Sequence, residues 1–387
     1  MRHYAILRRE ESASRVRGIA SGPFGSRARG ALVVIDELLS DAAAADAARD
    51  PATRAITPVM PTRLIAPKAG DSGNVEDGWG IAAVGADASR FTGAGVTVAV
   101  LDTGIDRDHP AFAGVDLVER DFSGSGNGDR QGHGTHCAGT ILGRDVGLRI
   151  GVARGIQRAL IGKVLGNDGA GKSDWIFHAL TWAMREGADV ISMSLGFDFP
   201  GMVAKLIADG WPADLATSTA LEAYRGNLRM FDAVMGVLKA QAAFGVQPLV
   251  VAAAGNESRR NVNADYRIGA SLPAAADGVV SVAAVGRGIS ELAVAPFSNS
   301  AALVSAPGVD VISACLGGGL ASLSGTSMAC PHVAGVAALW WEALARGGTR
   351  ANSRNVSARL LATARTDVFG ILANETDIGQ GLVMAPQ

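Results

Sequence analysis

The sequence predicts an α/β fold: a three-layer sandwich with a mostly parallel central sheet, preceded by a small α+β N-terminal segment. From Trp79 onward, apolar strand-like stretches alternate with helical patterns, as a parallel sheet covered on both faces requires. Apolar, strand-like runs occupy positions 96–101, 159–165, 190–195 and 249–254. Apolar residues at helical spacing occupy positions 175–186 and 326–345.

The first 70 residues follow a different pattern from the rest of the chain. They predict strands at 3–9 and 31–37, an alanine-rich helix at 41–48, and strand-like residues at 53–65 that prolines interrupt. Such a unit holds too little apolar material for a robust core of its own. We therefore divide the chain into an N-terminal segment, residues 1–70, and a larger domain, residues 71–387. Pro67, Gly70 and Gly73 mark residues 66–76 as the expected linker.

A helical insertion is predicted at about residues 197–247, between two of the strands. Its apolar residues alternate spacings of three and four, namely Leu221, Tyr224, Leu228, Phe231, Met235 and Leu238. Because the stripe covers only about three heptads, we expect it to pack on its own domain rather than form a dimer seam. The insertion could also form a wall at one end of a binding cleft.

Composition excludes several classes of protein. The 387 residues carry a formal net charge of −2, and no cluster of Lys and Arg suggests a nucleic-acid or membrane-surface partner. No apolar run approaches the roughly 18 residues of a membrane span. Three scattered cysteines are an odd number, which favours free thiols. Residues 1–18 contain no apolar signal core, so we expect a cytoplasmic protein, secreted only if an upstream signal is missing.

One candidate nucleophile lies where a loop runs into an apolar helix. Residues 325–335 read GTSMACPHVAG, which places Ser327 in the first helical turn. There the unpaired backbone N–H groups and the positive end of the helix dipole favour a developing negative charge. Taken alone, Ser327 is more simply explained as a helix cap.

Two other stretches change that interpretation. A strand-like run ends in the carboxylate of Asp102, and residues 132–139, GHGTHCAG, place His133 between two glycines before a small-residue helix. On spacing alone His136 is a rival to His133. The three blocks resemble, in their order along the chain, the Asp, His and Ser motifs of the subtilisin-like serine proteases (subtilases). Subtilisin itself is the standard example of this order. The resemblance extends from about residue 78 to residue 384.

The resemblance implies a serine endopeptidase that works through an acyl-enzyme intermediate. In that chemistry Ser327 attacks the peptide carbonyl, His133 takes and returns the proton, and Asp102 orients the imidazole and stabilises its charged form. The family pattern selects His133 over His136. Asn256 matches the family's oxyanion asparagine, with the backbone N–H of Ser327 as the second donor.

Subtilases bind peptides as an extended strand between two enzyme segments. The matching residues here are Gly169, Ala170 and Gly171 on one side and Ser194, Leu195 and Gly196 on the other. One wall of the pocket before the scissile bond would be lined by Ala253, Ala254 and Gly255. These small residues predict an open, apolar pocket for a large hydrophobic side chain, unless Ser271 or the insertion alters it.

The resemblance also bears on partners and cofactors. Subtilases commonly carry a propeptide that assists folding and blocks the cleft, so residues 1–70 are either a shortened propeptide, acting as an intramolecular inhibitor, or an accessory domain that is never removed. No cofactor is required for the chemistry. Many subtilases hold calcium near the Asp motif and in a loop after the His helix, where this chain has Ala111 and residues 142–146. We therefore predict no such site, while a weak calcium site elsewhere remains open.

Two alternative functions are weighed against the protease. Residues 166–173 satisfy the P-loop pattern G-x-x-x-x-G-K-[ST], which would make the chain a nucleotide-binding protein through Lys172. The strands that follow end in Gly196 and in Gly255 rather than in a magnesium-binding aspartate, so we favour the protease. The other alternative is a catalytically inactive, subtilase-like binding module, against which the intact motifs argue.

Overall fold

In the computed structural model, which describes residues 1–9, 32–69, 78–241, 247–370 and 373–387, the chain begins with a three-stranded antiparallel sheet. β1 (Arg2–Arg9) lies between β2 (Leu32–Leu39) and β3 (Thr53–Pro58). Helix α1 (Asp41–Arg49) follows β2 and is capped by the Ser40 hydroxyl, which accepts a hydrogen bond from the backbone of the first turn. The strands and helix predicted within this segment are thus present; position 31 lies outside the described residues.

The remaining strands and helices follow in chain order. The strands are β4 (Pro61–Leu64), β5 (Lys68–Ala69), β6 (Thr97–Asp102), β7 (Asp116–Asp121), β8 (Arg158–Lys163), β9 (Ala170–Lys172), β10 (Val190–Met193), β11 (Leu195–Phe197), β12 (Leu249–Ala253), β13 (Val279–Arg287), β14 (Leu292–Val294), β15 (Val304–Pro307), β16 (Val311–Ala314) and β17 (Leu320–Ser324). The helices are α2 (Trp79–Ala83), α3 (His133–Leu142), α4 (Ser173–Arg185), α5 (Phe199–Ala208), α6 (Ala213–Gln241), α7 (Thr326–Arg346), α8 (Ser353–Ala362) and α9 (Glu375–Ile378).

An eight-stranded sheet forms the middle layer of the larger domain. Its strand order is β14-β13-β12-β10-β6-β8-β7, and β15 pairs with β13 beside this path. Every pairing is parallel except that of β13 with β14. The predicted strands correspond to β6, β8, β10 and β12. The run predicted at 190–195 is divided, because the chain leaves the central sheet after Met193 and continues as β11 in a second sheet.

The central sheet is covered on both faces, because side chains along its strands alternate between two apolar clusters. On β6, Val98 and Val100 point into a cluster that includes residues of α3 and α7. Ala99 and Leu101 point into a second cluster, which includes residues of α4 and α6. The sheet and its two helical layers form the predicted three-layer α/β sandwich.

The N-terminal sheet packs on the larger domain instead of enclosing a separate core on that side. Ala5, Leu7 and Met60 are buried in the same cluster as Phe177 of α4 and Phe231 of α6. Burial of these side chains therefore depends on contact between the two parts of the chain.

The insertion forms helices α5 and α6, which pack on the chain's own domain as the stripe predicts. Phe231, Met235 and Leu238 are buried against the central sheet, whereas Leu221, nearer the start of α6, is 48% exposed. Helix α6 also supports the N-terminal sheet: the buried side chain of Asn227 donates a hydrogen bond of 2.9 Å to the carbonyl of Pro58. Residues 242–246, at the end of the insertion, lie outside the described part of the chain.

Candidate active site

The acid and the imidazole of the Asp and His motifs are directly hydrogen-bonded. Asp102 ends β6 and His133 begins α3, and His133 Nδ1 lies 2.8 Å from Asp102 Oδ1. The same oxygen accepts a bond of 2.8 Å from the backbone N–H of Thr103. Both side chains are 1% exposed. Within the described residues, the other ring nitrogen of His133, Nε2, is buried without a hydrogen-bond partner. A nitrogen of this kind is free to take a proton.

Close packing of two loops brings the Asp and His motifs together. The backbone N–H of Gly134 donates a hydrogen bond of 2.9 Å to the Thr103 hydroxyl, directly after Asp102. A Cβ atom at Gly134 would lie only 2.2 Å from the carbonyl oxygen of Gly104. The glycine after His133 therefore permits the approach that the Asp102–His133 hydrogen bond needs.

Ser327 lies in the first turn of α7, and its side chain is fully buried. Its hydroxyl lies 3.3 Å from the carbonyl oxygen of Ile65 and 3.3 Å from that of Ser194. Cys137 connects this residue to the imidazole: its thiol donates to the Ser327 carbonyl at 3.4 Å and lies 3.8 Å from His133 Nδ1. The structure thus brings Ser327, His133 and Asp102 into one buried cluster.

The Cys137 thiol is a structural neighbour of this cluster. Burial, with the nearby Asp102 carboxylate, raises its pKa well above the ordinary value of 9.0. The thiol therefore stays protonated and serves as a hydrogen-bond donor. Among the described residues, Asp102, His133 and Cys137 also lie close enough together to hold a metal ion, but the atoms that Asp102 and His133 would offer are already bonded to each other.

The rival imidazole of His136 points away from Asp102. Its Nε2 lies 3.1 Å from the carbonyl of Val311 and 3.2 Å from that of Ala321. Burial lowers the pKa of His136 to about 3, so this ring remains neutral. Both facts favour a structural role for His136 and leave His133 as the candidate base.

Asn256 follows β12 and is fixed by the start of α7. Its Oδ1 accepts hydrogen bonds of 2.9 Å from both the backbone N–H and the hydroxyl of Thr326. This arrangement turns the amide Nδ2 toward the groove between β9 and β11. There it donates to the carbonyl oxygen of Ala66 at 3.3 Å. The expected oxyanion donor therefore already bonds to a peptide carbonyl.

The chain's own strand β4 fills the groove beside these residues. It pairs in antiparallel fashion with β11 on one side and β9 on the other. In this register Arg63 lies opposite Gly196 and also opposite Ala170. The two predicted substrate segments, Gly169 to Gly171 and Ser194 to Gly196, thus flank an extended strand that belongs to the same chain.

The start of the expected linker proves to lie in the groove. After β4, Ile65 and Ala66 pass Ser327 and Asn256, and β5 (Lys68–Ala69) pairs with β17. The assignment of residues 66–69 to a linker was therefore wrong, because pairing with distant strand edges outweighs the local effect of Pro67. Residues 70–77 lie outside the described residues.

The Ile65 side chain is buried in a pocket beside Gly196. It is 3% exposed and shares an apolar cluster with Ala253. A Cβ atom at Gly196 would lie 3.4 Å from Ile65 Cγ1 and 3.6 Å from Ser271 Oγ, which are ordinary contact distances, so Gly196 lies directly beside the Ile65 side chain.

The other two predicted wall residues act through their backbone. The carbonyl of Ala254 accepts a hydrogen bond of 3.0 Å from the N–H of Ser271, and the N–H of Gly255 donates to the Thr326 hydroxyl at 3.1 Å. These bonds hold the loop after β12 against Ser271 and the start of α7, while Ala253 and Ile65 both belong to the apolar cluster on the α3 and α7 side of the sheet.

The P-loop alternative fails because its phosphate-binding groups are used within the chain. The Lys172 ammonium lies over the Trp175 ring at 5.3 Å. The backbone N–H of Ser173 donates to the Met60 carbonyl, and its hydroxyl accepts from the Met60 N–H, both at 3.0 Å. The N-terminus of α4 therefore holds a segment of the polypeptide.

An arginine holds the loop after α3, a role that no sequence motif indicated. The Arg144 guanidinium donates to the carbonyls of Leu142 at 3.1 Å, Ile156 at 2.7 Å, and Arg154. Its backbone N–H donates to the Ala111 carbonyl at 2.7 Å. Arg144 thus places a positive charge among carbonyl oxygens and links Ala111 to residues 142–146, the two places where many subtilases hold calcium. The only sequence signal was a basic residue in that loop.

The fold and this cluster are of the kind found in α/β serine proteases. The Subtilase family profile matches residues 93–381, about three quarters of the chain. The chain belongs to the subtilase family.

Curated relatives agree with this assignment. The chain is 36% identical over 263 residues to "Intracellular serine protease" of Paenibacillus polymyxa, covering 65% of this chain and 68% of that protein. It is 34% identical over 282 residues to "Subtilisin-like protease 6" of Trichophyton rubrum, covering 67% and 57%. It is 33% identical over 300 residues to "Subtilisin E" of Bacillus subtilis, covering 76% and 65%. The chain thus spans between just over half and about two thirds of these relatives' lengths.

Two further observations describe the chain as a whole. Cys137, Cys315 and Cys330 are free thiols, and two of them are buried. None of the helices formed by the described residues has both the length and the apolar character needed to cross a bilayer.

Proposed function

We propose that the chain is a serine endopeptidase in which Ser327 is the nucleophile, His133 the general base and Asp102 the residue that orients and stabilises His133. The observation that carries this proposal is the 2.8 Å hydrogen bond between Asp102 and His133 next to a serine at a helix N-terminus. The unpartnered Nε2 of His133 supports it, because a buried polar atom without a partner is costly and calls for a functional reason.

The reaction would begin when the Ser327 hydroxyl turns toward His133 Nε2. Oγ then attacks the peptide carbonyl carbon while its proton moves to Nε2, and Asp102 stabilises the imidazolium. The imidazolium gives the proton to the leaving amine, which leaves an acyl-enzyme on Ser327. A water molecule, deprotonated by His133, then attacks the ester and releases the second product.

Negative charge on the tetrahedral oxygen would be stabilised by two donors. One is the Nδ2 of Asn256, which Thr326 holds in place through Oδ1. The other is the backbone N–H of Ser327 at the positive end of α7. Donors of this kind, fixed before the reaction, would need little reorganisation when charge develops.

Substrates would bind as β4 does, as a strand between β9 and β11. Gly169, Ala170 and Gly171 would pair with one edge of the substrate, and Ser194, Leu195 and Gly196 with the other. Ile65 marks the pocket for the side chain before the scissile bond, with Ala253, Ala254 and Gly255 behind it. A branched aliphatic side chain fits that pocket.

The N-terminal segment would act as an intramolecular inhibitor. It fills the groove with β4, and the Ser327 hydroxyl is bonded to carbonyls rather than to His133. The register is unproductive as well, because Asn256 donates to the carbonyl of Ala66 while Ser327 lies beside the carbonyl of Ile65. Attack on either carbonyl would therefore lack one of the two partners that it needs.

We also infer that the enzyme needs no cofactor and works in the cytoplasm. The chemistry uses side chains and backbone groups alone, and Arg144 takes the place of a cation in the loop after α3. The name of the Paenibacillus polymyxa relative and the free thiols support a reducing, intracellular setting.

A fluorophosphonate probe tests the proposal on the full chain. We expect it to modify Ser327, as located by peptide mapping, and to leave Ser327→Ala unlabelled, whereas Ser290→Ala, at an exposed serine, should label like the wild type. The Ile65→Ser variant, with a weaker hold on the groove, should label faster. A folded chain that stays unlabelled in all forms and hydrolyses no peptide would identify an inactive binding module.

A further inference from the structure

We propose that the groove selects polypeptides with a basic side chain at two positions: two residues before, and three residues after, the residue that fills the Ile65 pocket. Asp198 would bind the first basic side chain and the Phe297 ring the second. The inference rests on the proposed function, because it names the substrate class of the same groove. The chain's own residues at these positions are Arg63 and Lys68.

The first basic position is defined by Asp198, at the start of α5. The Arg63 guanidinium Nη1 lies 3.2 Å from Asp198 Oδ1. The same carboxylate caps α5 by accepting a hydrogen bond of 3.0 Å from the N–H of Gly201. The cap holds the carboxylate in one orientation before any ligand binds, which lowers the entropy cost of forming the ion pair.

Asp198 also binds the backbone of the strand in the groove. Its N–H donates a hydrogen bond of 3.0 Å to the Pro61 carbonyl, two residues before Arg63. Any extended peptide that continues the β11 pairing would place its own side chain where Arg63 lies. The contact with the carboxylate is therefore a property of the groove as well as of the N-terminal segment.

The second basic position lies on the far side of Ser327. The Lys68 ammonium lies 4.9 Å from the centroid of the Phe297 ring, and Lys68 pairs with Ser324 of β17. The ring is 5% exposed, so its position is fixed by packing. An ammonium over an aromatic face is attracted by the ring quadrupole, whereas a carboxylate there is not.

The expected preference is modest because Arg63 remains half in solvent. Its side chain is 47% exposed and that of Asp198 is 20% exposed. Pairs of this kind contribute about two- to fivefold to binding. A glutamate at the same position would face Asp198 directly, so we expect the ratio of kcat/KM for Arg over Glu to exceed the ratio for Arg over Ala.

The test uses internally quenched peptides that copy residues 61–69 with glycine in place of Pro67. Arg, Ala or Glu stands at the Arg63 position, and Lys, Ala or Glu at the Lys68 position. The full-length wild-type chain is incubated until its activity is constant, and its active sites are counted with the fluorophosphonate probe. We expect kcat/KM to be about two- to fivefold higher for the basic residue than for alanine at each position.

Variants separate the two positions. Asp198→Asn keeps a helix-capping side chain but removes the charge, and should bring the Arg-to-Ala ratio to about one. Asp209→Asn, at the other end of α5 and paired with Lys205, should leave that ratio unchanged. Phe297→Leu should abolish the lysine preference and keep the arginine preference, which also shows that the variant is folded.

The outcomes distinguish this inference from the proposed function. Labelling of Ser327 with equal cleavage of all peptides would overturn the basic preference and leave the protease intact. A preference that survives Asp198→Asn would overturn the role of Asp198. If no peptide is cleaved and no probe is incorporated, the proposed function fails and the inference fails with it.

Discussion

The Ser327 hydroxyl lies 3.3 Å from the carbonyl oxygen of Ile65, a residue 262 positions earlier in the chain. The Ile65 side chain fills the pocket beside Gly196, and the next carbonyl, that of Ala66, accepts a hydrogen bond from Asn256. A segment of the chain itself therefore lies against Ser327 and Asn256, the residues that we propose act on peptide substrates.

We predict that the chain cuts itself between about residues 58 and 78. Because the seated register is unproductive, the cut requires the segment to shift in the groove or to be attacked by another molecule, and removal of the nucleophile in subtilisin itself costs on the order of 10⁶ in kcat. Incubated wild-type protein should shorten from the N-terminus, as intact mass and N-terminal sequencing would show, while Ser327→Ala stays whole. Identical N-termini in both proteins would contradict the zymogen proposal and favour a permanent accessory domain.

We predict that Ile65→Ser relieves the self-inhibition. Burial of an isoleucine side chain contributes about 1.5–3 kcal/mol, which corresponds to roughly a 10- to 100-fold change in how often the groove is open. The initial rate of fluorophosphonate labelling should rise by a factor in that range. The control is Ile289→Ser, at a fully exposed isoleucine, for which the rate should stay at the wild-type value. Equal rates for the two variants would show that the strand does not limit access.

Asn256→Ala should lower kcat by about 10²–10³-fold with little change in KM, because the lost donor acts on the charge of the transition state. The magnitude is the one known for the equivalent donor in subtilisin. Asn256 also bonds to Thr326, so thermal unfolding must be measured alongside the kinetics. Asn261→Ala, at an exposed asparagine, is the control. A raised KM together with a lower thermal stability would instead indicate a structural role.

Arg144 should make the loop after α3 independent of calcium. Its guanidinium bonds to three carbonyls, and a hydrogen bond to a charged group contributes about 1.5–3 kcal/mol. We expect Arg144→Met to lower the free energy of unfolding by at least about 2 kcal/mol, whereas Arg350→Met, at an exposed arginine, changes little. The wild-type Tm should be equal in chelator and in millimolar calcium. A higher Tm in calcium would contradict the prediction.

Two buried histidines should make the fold sensitive to acid. Burial lowers the pKa of His136 to about 3 and that of His332 to about 4, while both titrate near 6.5 in the unfolded chain. The unfolded state therefore binds more protons below about pH 6.5. Stability from these groups is complete above that pH and falls as the pH drops toward 4 and then 3, by up to about 1.4 kcal/mol per pH unit for each histidine.

Urea unfolding at several pH values measures this effect, in a Ser327→Ala background that prevents self-cleavage. His332→Gln does not titrate and can still donate to the Met328 carbonyl, to which His332 Nδ1 bonds at 2.8 Å. Its stability should fall less steeply with acid than that of the parent. The same slope in both proteins would show that His332 is not a source of the acid sensitivity.

Much of the fold and of the site could be predicted because the signals are local. Apolar runs predict the strands. The glycines around His133 and before Asn256 permit close backbone contacts, and they are recognisable within short motifs. The roles that we assign to Asp102, His133, Ser327 and Asn256 stay predictions until tested, but the structure places these residues at one groove.

The rest depended on contacts between distant parts of the chain. Residues 61–69 carry prolines and no clear strand alternation, so nothing nearby indicates that β9, β11 and β17 supply their partners. The stripe on α6 predicted most of its buried side, yet Leu221 is exposed because at that end of the helix the buried face is formed by Ala216, Ala220 and Ala223. The strand pairing of residues 61–69 and the buried face of α6 both depend on tertiary contacts, which local propensity does not encode.

Strand β4 also protects the molecule from aggregation through exposed strand edges. β9 and β11 lie on either side of it, and without it each would offer a row of unsatisfied amides and carbonyls to any extended chain nearby. While β4 is paired with β9 and β11, the uncleaved molecule exposes no such strand edge in the groove. The same segment that keeps the groove idle therefore also keeps neighbouring copies from joining edge to edge there.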